Sequence, residues 1–322
     1  MNKTISNARA LGRAMSPSRT PARLRTARAR RRIQGLARHA GLRASLAVLQ
    51  VAAPARADRW ALQLWCTLPP GSGRRRDHRP FPGDVVRLQV PRGGTAAAEV
   101  WGEGPVVYLM HGWGGWRGQL GAFVEPLLDS GYRVVAVDAP GHGDADPGFL
   151  GAGKGTFMEF LEALEAAGRE FGPAAAIIGH SMGSMVAAHV VRDGVAAGRL
   201  VLVSPNHSFG EIVDHFSRAF GLSARTRRHL VAALEDITER PLEDFDLEPL
   251  GADGGMPETL VLHDRTDKET PYRVGESIAA SWPNAMLVAS EGLGHQRILT
   301  DAGTVATVVG YVTGRVPTPN PR

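Results

Sequence analysis

The central part of the chain repeats one pattern, in which a short apolar run rich in β-branched residues precedes a longer segment with apolar residues at helical spacing. Nearly continuous apolar runs of this length are typical of strands that are buried on both faces of a parallel sheet. The predicted strands are residues 106–110, 133–137, 174–178, 200–203, 259–263 and 285–288. The predicted helices are residues 119–129, 156–169, 182–191, 274–282 and 301–312. This alternation indicates an α/β fold with a mostly parallel central sheet and helices on both faces.

Two segments depart from the alternation. Residues 85–90 and 96–101 are short strand-like runs on either side of Pro91-Arg-Gly-Gly94, which predicts a hairpin. Further along, helical patterns follow one another with no strand between them, at residues 211–220, 224–235 and 242–250. We interpret residues 205–256 as an inserted helical lid. It divides the predicted core into residues 84–204 and 257–314.

The N-terminal region differs from the rest in charge. Residues 1–57 contain 13 of the 37 Lys and Arg residues and none of the 32 Asp and Glu residues, so the remainder has 24 basic against 32 acidic residues, a net charge of −8. Residues 1–45 are expected to form a basic, disordered leader, because an arginine-rich segment has little apolar surface to bury. A helix at about residues 42–67 and an exposed linker make up residues 46–83, and the proline-rich residues 315–322 form a tail.

The leader has three alternative interpretations. Met15 is a second candidate start site, which would make the residues before it an upstream artefact. The apolar stretch at residues 44–53 and the small-x-small site that ends at Ala57 are typical of an export signal, although the basic region before them is unusually long. An acid-free, arginine-rich segment also suits weak binding to an anionic surface such as lipid. We expect a cytoplasmic protein, with export as the alternative.

Composition excludes several classes of protein. With 43% hydrophobic and 21% charged residues, the chain is typical of globular proteins. No run approaches the about 18 apolar residues that span a bilayer, so no integral membrane segment is expected. The single cysteine, Cys66, excludes an intrachain disulfide, and no residue cluster resembles a structural zinc site. A nucleic acid partner is not expected, because the excess of basic residues lies outside the predicted core.

A candidate nucleophile lies in Gly179-His-Ser-Met-Gly183, which fits the pattern G-x-S-x-G between a predicted strand and a predicted helix. A serine on such a turn has a strained backbone, and its hydroxyl projects from the edge of the sheet. Side chains two positions before and after it would collide, which explains both glycines. The pattern alone also occurs by chance, but its strand–turn–helix placement favours Ser181 as the nucleophile on a nucleophile elbow.

A candidate oxyanion hole lies in His111-Gly-Trp-Gly-Gly115, directly after the predicted strand at residues 106–110. Acyl transfer develops negative charge on the carbonyl oxygen, and preorganised backbone N–H groups stabilise that charge. We predict that the N–H groups of Trp113 and Met182 are the two donors, since Met182 directly follows the nucleophile. The alternative is a tight turn with no catalytic donor.

The candidate base is His295, in a glycine-flanked loop between the predicted strand at residues 285–288 and the last predicted helix. It is the last of the eleven histidines, after the nucleophile and an acid, in the chain order Ser, Asp, His. The acid orients the imidazole and stabilises the imidazolium that forms. Asp264 and Asp267 both follow the strand at residues 259–263, and the residues themselves leave the choice between them open.

With these motifs, residues from about 106 to 312 resemble the α/β-hydrolase superfamily of lipases, esterases and related enzymes. The ending Gly292-Leu-Gly-His-Gln-Arg-Ile-Leu299 resembles a bacterial group of largely uncharacterised α/β hydrolases, and Asp138-Ala-Pro-Gly-His-Gly143 resembles a structural turn of the family. The resemblance implies that Asp267 is the acid of the catalytic triad, because in such families the acid falls four residues after the histidine that ends the strand. Ala145 and Ser184 depart from the family pattern without touching the predicted triad.

The sequence therefore predicts a serine hydrolase of carboxylesterase type, with Ser181, Asp267 and His295 as its catalytic triad. It would cleave a carboxylic ester or thioester through an acyl-enzyme, with no metal or organic cofactor. The expected partner is a small-molecule substrate, a hydrophobic acyl ester or thioester of small to medium size. Lid residues such as Phe209, Phe216 and Phe220 would shape its pocket. The alternatives are an acyltransferase, amidase or C–C hydrolase on the same triad, or a ligand receptor with little turnover.

Overall fold

A computed structural model of the chain describes residues 21–69, 76–206 and 208–315. Eight strands form one sheet in the order β1-β2-β4-β3-β5-β6-β7-β8. The strands are β1 (Asp84–Gln89), β2 (Thr95–Trp101), β3 (Val106–Met110), β4 (Arg133–Asp138), β5 (Ala174–His180), β6 (Arg199–Val203), β7 (Glu258–Asp264) and β8 (Ala285–Ser290). The helices are α1 (Pro21–Ala52), α2 (Pro54–Trp65), α3 (Val124–Leu128), α4 (Phe157–Phe171), α5 (Met182–Arg192), α6 (Phe209–Phe220), α7 (Ala224–Thr238), α8 (Leu247–Leu250), α9 (Arg273–Ser281), α10 (Gly294–Arg297) and α11 (Ala302–Val312).

The sheet confirms the fold class that the sequence predicts. β1 and β2 form the predicted antiparallel hairpin, β2 pairs antiparallel with β4, and β3 to β8 pair in parallel. Chain order reverses at β3, which lies between β4 and β5, so the loops after β3 and β5 flank a topological switch point. Sites in open α/β sheets form at such points, beyond the carboxyl ends of the strands.

Helices cover both faces of the sheet, and the alternation of side chains along each strand separates two apolar layers. In β3, Tyr108 and Met110 belong to the layer that also includes residues of α4, α5 and α9. Val107 and Leu109 belong to the opposite layer, with residues of α3 and α11. The five residues of β3 are all buried. The predicted helix at residues 119–129 is divided into the 3-10 helix Arg117–Phe123 and α3.

A helical insertion, α6 to α8 with the 3-10 helix Leu242–Phe245, lies between β6 and β7 where the sequence predicts helices without a strand. Side-chain caps begin its two long helices: Ser208 accepts from the Glu211 N–H, and Ser223 accepts from the Thr226 N–H. Gly221 then ends α6 in a left-handed conformation, as helix C-termini often do. The weak helical pattern at residues 242–250 is interrupted at Asp246, which has an extended backbone.

The N-terminal region differs from the expected disordered leader. Residues 1–20 lie outside the described residues, but residues 21–45 belong to α1, a helix of 32 residues. No proline lies between Pro21 and Pro54, and the alanine, arginine and leucine residues between them favour helix. The single helix predicted at about residues 42–67 is therefore two helices, because Pro54 cannot continue α1. Of the predicted linker and tail, residues 70–75 and 316–322 also lie outside the described residues.

The second half of α1 packs on the helical insertion. His39 Nε2 lies 3.0 Å from the Ala219 carbonyl oxygen, and the Arg43 guanidinium donates to the carbonyl oxygens of Arg218 and Ala219 at 2.9 and 2.6 Å. Leu46 is fully buried. α1 therefore binds the C-terminal end of α6, where the helix dipole favours a cation. Among the described residues, no helix has the length and apolar character needed to cross a membrane.

Candidate active site

Ser181 lies between β5 and α5 with a left-handed backbone, φ 55° and ψ −120°. A Cβ on Gly179 would come within 2.2 Å of the Gly183 oxygen, and one on Gly183 within 2.3 Å of the Met110 oxygen. Both glycines are thus required by close backbone approach, which is the reason that the sequence pattern suggests. Strain of this kind is typical of functional positions, and it holds the Ser181 side chain above the end of the sheet.

The glycine-rich turn after β3 lies directly against the nucleophile elbow. A Cβ on Gly112 would come within 2.9 Å of the Ser181 Cβ, and the Gly115 N–H donates to the Gly112 oxygen at 2.9 Å. Within the described residues, neither the Trp113 N–H nor the Met182 N–H donates a backbone hydrogen bond outside the helices and strands. Met182 is also the first residue of α5, where a helix leaves its N–H groups without an internal acceptor. The structure thus places the two predicted donors next to Ser181.

The structure brings His295 and Asp267 together, although 28 positions separate them. His295 Nδ1 lies 2.8 Å from Asp267 Oδ2, and both side chains are buried. The other carboxylate oxygen of Asp267 accepts the N–H groups of Glu269 and Thr270 at 2.8 and 3.0 Å. Burial by itself would raise the pKa of Asp267, but the hydrogen bond from His295 and those from the backbone lower it to about 2. The carboxylate is therefore ionised at neutral pH and fixes the proton of His295 on Nδ1.

Asp264, the second candidate acid, is occupied elsewhere. One carboxylate oxygen accepts the N–H and hydroxyl of Thr266 at 2.9 and 2.6 Å. The other accepts the Ser290 hydroxyl at 2.7 Å and the Leu293 N–H at 2.9 Å. Burial opposes ionisation, yet these hydrogen bonds lower the pKa of Asp264 well below its usual value. Asp264 therefore ties the end of β7 to the segment that leads into α10. His295 lies in this short helix, and not in a loop as the sequence predicts.

The nucleophile and the base are linked through His180 and not by a direct hydrogen bond. His180 Nε2 lies 2.9 Å from the His295 carbonyl oxygen, and the two rings are 4.7 Å apart. Ser181 Oγ accepts from Asn206 Nδ2 at 3.5 Å. Within the described residues no hydrogen bond joins Ser181 to the His295 ring, and such contacts are often long before substrate binds. Asn206 follows β6 and was not singled out from the sequence.

A buried ionic network lies next to the glycine-rich turn and holds the segment that follows it. Arg117 bonds to Glu99 at 2.5 Å and to Asp138, and all three side chains are at most 1% exposed. The Arg117 N–H also donates to Asp138 at 2.6 Å. The sequence analysis did not single out Glu99. Its charge within a mostly apolar strand could have indicated a buried ion pair, but residue spacing does not identify Arg117 as the partner. The network joins β2, β4 and the segment that follows the turn.

The described residues contain no group of three or more His, Cys, Asp or Glu side chains that could hold a metal ion. The buried histidines are instead hydrogen-bonded to the backbone and packed among other rings, as His111 is with Gly112 and Phe160. Cys66 is buried, and burial raises the pKa of its thiol to about 12, so the thiol is protonated.

Comparison with known proteins gives a family. The model of the alpha/beta hydrolase family matches residues 106–308, which include every predicted site residue. Two curated relatives match about half of this chain. The dihydrolipoyllysine-residue acetyltransferase component of the acetoin cleaving system of Cupriavidus necator is 34% identical over 154 residues, 47% of this chain and 38% of that protein. The pimeloyl-[acyl-carrier protein] methyl ester esterase of Chromobacterium violaceum is 30% identical over 158 residues, 48% of this chain and 57% of that protein.

Among solved structures, an esterase from Exiguobacterium antarcticum matches with a TM-score of 0.54 and 19% sequence identity. The match covers 70% of this chain and 98% of the esterase. At this identity the likeness shows a shared fold.

Proposed function

The chain belongs to the α/β hydrolase family, and from that premise we propose that it is a serine hydrolase that cleaves a carboxylic ester or thioester through an acyl-enzyme on Ser181. The observation that carries this proposal is the buried pair of His295 Nδ1 and Asp267 Oδ2, 2.8 Å apart, beside the strained Ser181 elbow. A histidine whose Nδ1 proton is held by a carboxylate presents an unprotonated Nε2, which is the form that a general base requires.

In the proposed reaction, His295 Nε2 takes the Ser181 hydroxyl proton while Oγ attacks the substrate carbonyl carbon. The negative charge that forms on the carbonyl oxygen is stabilised by the N–H groups of Trp113 and Met182. The intermediate collapses, and the imidazolium gives its proton to the departing alkoxide or thiolate. A water molecule then loses a proton to His295, attacks the acyl carbon, and releases the carboxylic acid and free Ser181. This sequence uses no metal and no organic cofactor.

The helical insertion supports an acyl substrate that is partly covered by protein. It begins just after Asn206, which contacts Ser181, so its first helix starts beside the nucleophile. We propose that the insertion acts as a lid. Phe209, which the sequence suggested for an apolar acyl pocket, is 3% exposed and packs on Phe157 and Phe245. Phe216 and Phe220, which the sequence also suggested for this pocket, pack instead on Trp65 and His39 of the N-terminal helices.

The relatives support an ester as the first substrate class to test. The relative from Chromobacterium violaceum is named for the hydrolysis of a methyl ester on an acyl chain, and this chain covers 57% of its length. An acyl ester of small to medium length is therefore our preferred class, with thioesters in the same panel.

The test combines labelling and turnover. We expect a fluorophosphonate probe to label the wild-type chain on Ser181, and we expect steady-state hydrolysis of acyl esters or thioesters of graded chain length. Ser181→Ala should lose labelling and lose about 10⁴-fold or more in kcat while keeping its melting temperature, since it removes one oxygen at a strained turn. Labelling without turnover on the whole panel would indicate a receptor, and turnover in clean Ser181→Ala protein would refute the mechanism.

A further inference from the structure

His142 lies in the turn Asp138-Ala-Pro-Gly-His-Gly143 after β4, and its ring reaches across to the glycine-rich turn after β3. The Gly114 N–H donates to His142 Nε2 at 3.1 Å. His142 Nδ1 lies 3.1 Å from the Pro140 carbonyl oxygen, which is only an acceptor. The two contacts together require one tautomer, in which Nδ1 carries the proton and Nε2 holds a lone pair toward Gly114.

The surroundings of the ring keep it in that form. His142 is 1% exposed, and it packs 4.7 Å from Phe160, 5.1 Å from His111 and 5.5 Å from Trp113, measured between ring centroids. Burial lowers the pKa of His142 to about 3, so the ring is neutral near neutral pH and Nε2 accepts a hydrogen bond.

The turn that carries His142 is itself fixed. The Gly141 N–H donates to the Asp146 oxygen at 2.7 Å, and the His142 N–H donates to the Ala139 oxygen at 3.0 Å. At Gly143 a Cβ would overlap the Asp138 carboxylate, which is held by Arg117. His142 Nε2 is therefore an acceptor held in place by the turn after β4, and it binds the Gly114 N–H in the turn after β3.

We propose that His142 is a positioning residue that fixes the Gly114 N–H and thereby aims the Trp113 N–H at the oxyanion. Trp113 lies between two anchored neighbours: Gly112, in contact with Ser181, and Gly114, bound by His142. A peptide flip at Gly114, whose φ is +67°, would redirect the turn, and the lone pair of His142 opposes it. This inference rests on the proposed acyl transfer at Ser181.

The test separates the contribution of the hydrogen-bond acceptor of His142 from the contribution of its ring packing. His142→Phe keeps a planar ring and removes the lone pair, and His142→Gln keeps an oxygen acceptor near the position of Nε2. We expect His142→Phe to lower kcat on the order of 10- to 100-fold with KM nearly unchanged, because the oxyanion contact acts in the transition state. His142→Gln should recover most of that loss. His189→Phe is the matched control, since His189 is equally buried and its Nε2 lies 3.1 Å from the Phe245 oxygen, away from the turn.

The results that would overturn the inference are distinct from failure of the proposed function. If hydrolysis depends on Ser181 but His142→Phe keeps the wild-type kcat, or if His142→Gln is no better than His142→Phe, the positioning role is wrong. An equal loss of kcat in His189→Phe would show that loss of any buried histidine lowers kcat through destabilisation, which would also refute the positioning role. Should His142→Phe fail to fold, the ¹⁵N chemical shifts of the His142 ring in the wild-type chain decide the matter: an Nδ1–H tautomer supports the inference, and an Nε2–H tautomer refutes it.

Discussion

Two regions of the molecule are built in different ways. The catalytic edge comprises residues 111–115, 181–182, 264–270 and 295 at the carboxyl ends of the strands. Its Ser181, Asp264, Asp267 and His295 side chains are buried and hydrogen-bonded. Asp264 and His111 are fully buried there, and His295 is 6% exposed. The helical cover comprises α1, α2 and the helical insertion, and its ion pairs are largely at the surface, such as Arg227–Asp214 and Arg240–Asp244.

Because of this difference in burial, we expect the catalytic edge to be rigid and the helical cover to adapt more easily. A buried polar group that loses its partner costs about 1–3 kcal/mol of folding free energy, so breaking any one hydrogen bond of the catalytic edge is unfavourable. Exposed ion pairs contribute about 0–1 kcal/mol each, so the helical cover can shift with little loss. The chemistry should therefore be sensitive to single polar substitutions at the edge, whereas substitutions in the cover should act weakly.

The largest effect expected from this comparison lies within the catalytic edge. Asp267→Asn should lower kcat by roughly 10³–10⁴-fold, because a neutral amide does not hold the imidazole tautomer. Asp264→Asn should cost about 1–3 kcal/mol of stability through its disturbed hydrogen bonds, with kcat within about tenfold of wild type. The two variants are compared by kcat on one ester and by thermal melting. A reversed result would exchange the two assignments.

The next effect contrasts one arginine from each region. Arg117→Met should destabilise the fold by about 3–5 kcal/mol, because Asp138 is left buried without its cation and Glu99 keeps only its pair with Arg79. Arg225→Met, its counterpart in the cover, breaks the half-exposed pair with Asp58 and should cost about 1 kcal/mol or less. Urea unfolding of both variants measures the contrast. Equal losses would break the comparison between the two regions.

A pH dependence of stability follows from His142. Its pKa is lowered to about 3 in the folded chain, against 6.5 for an ordinary histidine. The unfolded chain therefore binds one more proton over this interval, and stability is lost as pH falls from about 6.5 toward 3, by about 1.4 kcal/mol per pH unit. His142→Gln should remove this contribution, so the gap in unfolding free energy between wild type and variant should narrow from pH 7 to pH 5. A constant gap would mean that His142 does not titrate in this way.

The smallest effect concerns the cover alone. Arg43→Ala should cost about 0.3–1 kcal/mol, the usual contribution of a cation at a helix C-terminus, and should speed amide exchange in the last turn of α6. Arg38→Ala, an exposed position on the same helix, is the matched control and should leave both quantities unchanged. Hydrogen exchange and thermal melting provide the readouts. A loss of ester turnover in Arg43→Ala would show that the cover is coupled more tightly to the catalytic edge than its exposed contacts indicate.

The sequence alone determined the features that a few neighbouring residues encode. Nearly continuous apolar runs predicted β3 to β8, and the glycines around Ser181 identified a turn that only small residues permit. The chain order of Ser181, an acid and His295 indicated His295 as the candidate base. In the N-terminal region, local composition misled, because charge suggested disorder while the propensity of the same residues and the packing of α1 on α6 favour a helix.

Only the tertiary structure decided which distant side chains meet. The pairing of His295 with Asp267, of Arg117 with Glu99, and of His142 with Gly114 depends on the strand order and register of the sheet, which no local pattern contains. A buried polar group must find a partner, so the sequence could indicate that Glu99 needed one. The identity of that partner depends on which loops the fold brings to the same place, and this is set by the packing of the whole sheet.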